Sequence, residues 1–146
     1  MQSNKQAGFT LIELLVSMVV LGVTLAITTT FILGVREKAI LQRDSDQIVQ
    51  LLEFARRQSI AAYNGQQYSL VFQPDSVITV EPGTTKRTIS SRLEVETVPD
   101  TNTITFNKLT GTLSRTQEIN LKLSGLKTTI TIDKGGLISQ DNIERQ

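Results

Sequence analysis

Glu13 stands where an acid is costly. It fronts an apolar run that carries no charge from Leu14 to Val35, and a carboxylate placed in hydrocarbon is rare unless it is paired or functional. The chemistry open to it is charge pairing with a cation that shares the same apolar surroundings. Other reactive groups are few in kind. The chain has no Cys and no His, which removes thiol nucleophiles, Ser–His and Cys–His pairs and the usual nitrogen and sulfur ligands of zinc. Catalysis would have to rest on carboxylates, lysines or hydroxyls, yet no carboxylate pair, phosphate loop or nucleophile constellation stands out. We therefore expect no enzyme and no cofactor.

Two further sets of charged residues need a reading. Asp133, Asp141 and Glu144 are too scattered along the chain for a calcium loop, so no metal site is expected. Lys86 and Arg87 in a GTTKRT loop, Arg92 beside it, and Lys122 with Lys127 are candidate phosphate contacts. The net charge of +1 gives no general basic surface, Glu94, Glu96 and Glu118 dilute the field, and no aromatics interleave to stack bases. Nucleic-acid binding is the lesser alternative.

The elements that must position these residues follow from periodicity. The uncharged run of about 22 residues is long enough, at 1.5 Å per residue, to cross a hydrocarbon core of about 30 Å. It is too long for a secretory signal and no Ala-x-Ala site follows it. The segment REKAILQRDSDQIVQLLEFARRQSIAAYNG lacks proline and becomes amphipathic, with Leu41, Ile48, Leu51, Leu52, Ala55 and Ala62 on one face. Asn64-Gly65 supplies a stop. One helix is thus expected from about Phe9 to Tyr63, its first half in a membrane and its second laying an apolar stripe on a partner.

After Gly65 the period falls to two. QQYSLVF, SVITVE, RLEVETV, TNTITF, EINLKLS and LKTTITID read as strands separated by Pro, Gly and Asp turns. Short connections favour antiparallel pairing. The fold expected is α+β: a long N-terminal helix packed on an antiparallel β domain, as one sheet folded over the stripe or two small sheets. The expected divisions are residues 1–8 as a leader, 9–35 as the membrane half of the helix, 36–63 as its amphipathic half and 64–146 as the sheet domain.

The stretch Gly8-Phe9-Thr10-Leu11-Ile12-Glu13-Leu14-Leu15-Val16 resembles the processing site of type IV prepilins and of the pseudopilins of type II secretion. A short hydrophilic leader ends in Gly, Phe follows, a Glu lies four residues on, and an apolar helix begins. The resemblance implies that a prepilin peptidase cuts between Gly8 and Phe9, and that the new Phe9 amine is methylated. It implies that Glu13 neutralises the terminal amine of a neighbouring subunit in a filament. The alternatives are pairing with its own Phe9 amine or reaching the headgroups. The partners implied are the peptidase, other pilins or pseudopilins, and an inner-membrane assembly platform. The place implied is the inner membrane, with the sheet domain outside the cytoplasm. IVQLLEFARRQSIAAYNGQQYSLVF and the closing ITIDKGGLIS are similar to the H-type minor pseudopilins and the T-type minor fimbrial pilins. Thr30 stands where major pilins often carry Pro, and a C-terminal disulfide loop is impossible without Cys. Both departures favour a minor component. The alternative within the resemblance is a DNA-binding minor pilin of a DNA-uptake pilus; the alternative outside it is a membrane-tethered extracytoplasmic domain whose anchor is not cut.

Overall fold

The computed structural model describes residues 9–61 and 65–145, with the side chains of residues 27–33 excepted. Helix α1 runs Leu11–Ile60. It begins two residues later than the sequence pattern predicts because Thr10 serves as the cap: its Oγ1 accepts from the Glu13 backbone N–H at 3.3 Å, occupying a donor that the first turn leaves free. The far end lies at Ile60, short of the expected Tyr63. Ala62, Tyr63 and Asn64 of the expected stripe and stop lie outside the described residues. Gly65 itself takes a positive φ of 69°, which its missing Cβ permits.

The chain divides into two units, one up to Arg36 and one from Glu37 to Gln146. In the first, every described side chain from Phe9 to Ala26 is exposed, Leu11, Ile12, Leu14 and Leu15 included. Among the described residues no helix is long and apolar enough to cross a membrane. The anchor expected over residues 9–35 falls in part on the side chains of 27–33, which lie outside that set.

The second unit holds the whole buried apolar core of the described residues, from Leu41 to Ile132. Its part of α1 buries Leu41, Asp44, Ser45, Ile48, Leu51, Leu52, Ala55 and Ser59, spacings that fall on one helical face. Among the described residues nine strands follow: β1 Tyr68–Gln73, β2 Val77–Glu81, β3 Thr85–Thr88, β4 Glu94–Val98, β5 Thr103–Phe106, β6 Gln117–Leu123, β7 Leu126–Ile132, β8 Ile138–Gln140 and β9 Glu144–Arg145. They form two antiparallel sheets: a four-stranded one in the order β3-β2-β1-β5, and a five-stranded one in the order β4-β6-β7-β8 with β9 also on β7. The fold is α+β.

Alternation is clear in β6, where Gln117, Ile119, Leu121 and Leu123 are buried while Glu118 is exposed, as a strand with one covered face requires. Ser124 and Gly125 join β6 to β7 with φ of 49° and 78°, the positive values that a two-residue hairpin turn demands. GTTKRT, expected as a loop, is corrected: Thr85–Thr88 is edge strand β3, paired to β2 from Val77↔Thr88 to Val80↔Thr85. Its lack of large apolar residues hid it, because an edge strand with little burial needs none.

Candidate functional site

The first turn of α1 assembles from four residues. Phe9 precedes the helix and is 82 % exposed. Thr10 caps it, Glu13 falls three residues later within the first turn, and Ser17 follows on the same face. Thr-x-x-Glu is the spacing of a capping box, and the cap's half of it, from the Thr10 hydroxyl to the Glu13 N–H, is formed. Ser17 Oγ donates to the Glu13 carbonyl at 2.6 Å. Thr24 Oγ1 likewise donates to the Val20 and Leu21 carbonyls. The hydroxyls of Ser17 and Thr24 thus bond to carbonyls of their own helix, which would satisfy them in surroundings without water.

The Glu13 carboxylate is exposed and makes no ion pair with any described residue. Its position, an acid near the positive end of a helix, is favourable in itself. A positive group at the Phe9 nitrogen would lie one turn away from it. Gly8, on the other side of the bond expected to be cut, lies outside the described residues. Among the described residues, added methyl groups at Gly22 and Gly34 would meet nothing within 4 Å, so packing among those residues does not require glycine at either position.

The candidate phosphate contacts are spread over two sheets. Lys86 and Arg87 lie on β3 of the first sheet and Arg92 lies in the link to β4, whereas Lys122 and Lys127 face each other across β6 and β7 of the second. Lys122 is already matched: its Nζ donates to Glu96 Oε2 at 2.8 Å. That hydrogen bond raises the Lys122 pKa above its ordinary value against partial desolvation, with the charges of Glu96 and Glu94 adding to it. Asp133 Oδ1 caps the following turn by accepting from Leu137 N–H at 2.8 Å. No group of three acidic, His or Cys residues able to hold a metal occurs among the described residues.

Sequence reasoning overlooked three buried polar residues on the covered face of α1. Asp44 Oδ2 accepts from the Ser90 N–H at 2.8 Å, and its Oδ1 accepts from Arg43. Ser45 Oγ accepts from Gln140 Nε2 at 2.9 Å. Ser59 takes the Tyr68 N–H on its hydroxyl and the Leu109 N–H on its carbonyl. These bonds fix the helix to the β3–β4 link, to β8, to the start of β1 and to the segment after β5. The signal was present: Asp44 lies three residues after Leu41 and four before Ile48, which puts it on the stripe.

Residues 3–29 match the prokaryotic N-terminal methylation motif. The matched segment contains Gly8, Phe9, Thr10 and Glu13 together with the first turns of α1. It supports a type IV pilin-like protein that is processed by prepilin peptidase and assembles with other pilins. No curated protein and no solved structure gives a match to the chain.

Proposed function

We propose that the chain is a structural minor pilin or pseudopilin rather than an enzyme. Prepilin peptidase cuts it between Gly8 and Phe9, the Phe9 amine is methylated, and the uncharged run holds it in the inner membrane as a single span. The sheet domain lies outside the cytoplasm until the assembly platform passes the subunit into a pilus or pseudopilus. There the Glu13 carboxylate meets the terminal amine of a neighbouring subunit. Two opposite charges in an apolar bundle are tolerable when they meet, and one alone is not, so the pair sets the register of incoming subunits.

The observation that carries this reading is the motif match over residues 3–29, a span that contains Gly8, Phe9, Glu13 and the start of the apolar helix. The exposed apolar surface of the first unit supports it, since a contiguous surface of that kind calls for lipid or other helices to cover it. The test is the mass of the N-terminal peptide of the protein taken from its own membranes. A chain that begins at Phe9, with or without a methyl group, is the expected result. A chain that begins at Met1 or Gln2, in cells with an active prepilin peptidase, overturns it.

A further inference from the structure

Two free edges of the second unit carry opposite charge. Strand β3 ends one sheet and β4 ends the other. The β3 edge is cationic: Lys86 and Arg87 are exposed and neither forms an ion pair with a described residue. The backbone direction of β3 follows from register. The Ile89 N–H donates to Ser76 O at 2.9 Å, which continues the β2–β3 ladder by one step. Hydrogen-bonded pairs alternate with open ones in an antiparallel ladder, so Lys86 and Thr88 turn their own N–H and C=O groups outward. The Lys86 carbonyl, on that open side, accepts among the described residues from the Arg87 side chain, at 3.2 Å.

The β4 edge is acidic. Glu94 and Glu96 are exposed, and Lys122 pairs with Glu96, which leaves Glu94 without an ion pair of its own among the described residues. Beside β4 lies an open groove of about 580 Å³, lined by Val95, Glu96, Thr97 and Val98 in succession and also by Leu93 and Asp100. A groove over one face of a strand would be lined by alternate residues. Four in a row fit a groove that follows the edge, where an added strand would pair.

We propose that β3 of one copy adds to β4 of a second copy, with Lys86 and Arg87 set against Glu94 and the remaining negative charge around Glu96 and Asp100. Strand addition of this kind takes its affinity from main-chain hydrogen bonds and its selectivity from side chains. Charges on an edge strand ordinarily guard it against promiscuous pairing, and the guard on β3 admits one class of partner, an acidic edge. The two patches differ, so the contact is head-to-tail and can repeat along a filament. A four-residue strand makes a small interface, well below the area of a stable complex, so it acts between subunits that other contacts already hold side by side. A low-copy component would then follow itself as a short run. The setting of neighbouring subunits rests on the proposed function; the edge complementarity does not.

The chain's lack of Cys makes the test clean. Full-length copies carrying Thr88→Cys and differently tagged copies carrying Val98→Cys are co-expressed, and their membranes are treated with a short bismaleimide. The expected result is a mixed-tag dimer, lost when Lys86→Glu and Arg87→Glu are added to the first copy and regained when Glu94→Lys is added to the second. No mixed dimer, or one that charge reversal leaves unchanged, overturns the inference. The N-terminal mass of the same samples separates the two readings: a chain cut at Phe9 without the dimer removes the edge contact alone. A chain uncut at Met1 that still forms the charge-sensitive dimer removes the filament reading alone.

Discussion

Replacing Asp44 tests how the second unit holds its helix. The side chain is fully buried and accepts three hydrogen bonds: from Arg43 Nε at 3.0 Å, from Arg43 Nη2 at 2.8 Å and from Ser90 N–H at 2.8 Å. They do not contribute equally. Arg43 is 61 % exposed, so in Asp44→Ala its guanidinium returns to water, and the loss from that pair is about 0–1 kcal/mol. The Ser90 N–H sits in the link between the two sheets and loses a charged acceptor, a bond worth roughly 1.5–3 kcal/mol. Together these predict a loss of about 3 kcal/mol for Asp44→Ala. Asp44→Asn keeps the shape and one acceptor oxygen and should lose about half of that. Urea unfolding of the fragment from Glu37 onward, followed by far-ultraviolet circular dichroism, reads both. At a slope of roughly 2 kcal/mol/M, Asp44→Ala lowers the midpoint by about 1.5 M with the slope unchanged. A loss below about 1 kcal/mol for Asp44→Ala would show that Ser90 finds another acceptor and refute the ranking used here.

Three other perturbations have defined outcomes. A methyl group on Gly136, which sits at φ 80°, would run into the Gly111 carbonyl and lie 2.8 Å from Arg56 Nε; Gly136→Ala should cost at least about 1–3 kcal/mol in the same urea assay, from strain and overlap together. Thr10→Ala removes the cap of α1, and the expected cost is about 1 kcal/mol, seen as faster amide exchange in the first turn of the detergent-solubilised chain while the sheets keep their protection. The Lys122–Glu96 pair raises the Lys122 pKa, so its stabilisation is fully present below the ordinary value of 10.5 and is lost as pH rises through the higher folded value. Thermal melts at pH 9 should therefore separate the natural chain from Glu96→Gln slightly more than melts in the alkaline range above that folded pKa.

The long helix and the antiparallel sheets were legible because they rest on period: Leu41, Ile48, Leu51, Leu52 and Ala55 repeat at helical spacing, and β6 alternates over seven residues. Strand β3 escaped because Thr-Lys-Arg-Thr has no apolar face to alternate. Strand β9 spans only Glu144–Arg145 and holds its place by pairing with Leu126 and Lys127, a relation that no local pattern records. Asp44, Ser45 and Ser59 were missed for a different reason. Each sits on the apolar stripe and is satisfied by a backbone or side-chain partner far along the chain, which periodicity does not record. At the N-terminus the reverse holds: the spacing of Gly8, Phe9 and Glu13 is a sequence signal, and the geometry adds only the Thr10 cap and the open carboxylate.

The two units obey opposite rules of burial, and that opposition bears on how a filament subunit must work. From Leu41 onward, most large apolar side chains are covered within the unit, with Val98, Leu109 and Leu137 left exposed. From Phe9 to Ala26 none of the described ones is covered, and large residues such as Leu11, Ile12, Val19 and Leu25 stay mostly exposed. A surface of that size is stable only when something outside the chain covers it, and lipid tails and neighbouring helices are nearly equivalent as cover because both are apolar. Moving from one to the other thus changes the apolar term little and leaves the decision to the charged and polar groups. In the proposed function, Glu13 supplies that decision inside the bundle, since lipid offers it no cation and a neighbour's amine does. The charged edges of β3 and β4 would supply it outside, where opposite charge selects which sheet domains can sit side by side. Glu13→Gln should then leave peptidase processing intact, because the cut lies at Phe9, while lowering the fraction of subunits recovered in sheared filaments. Equal recovery of Glu13→Gln and the natural chain would break the link between the lone acid and assembly.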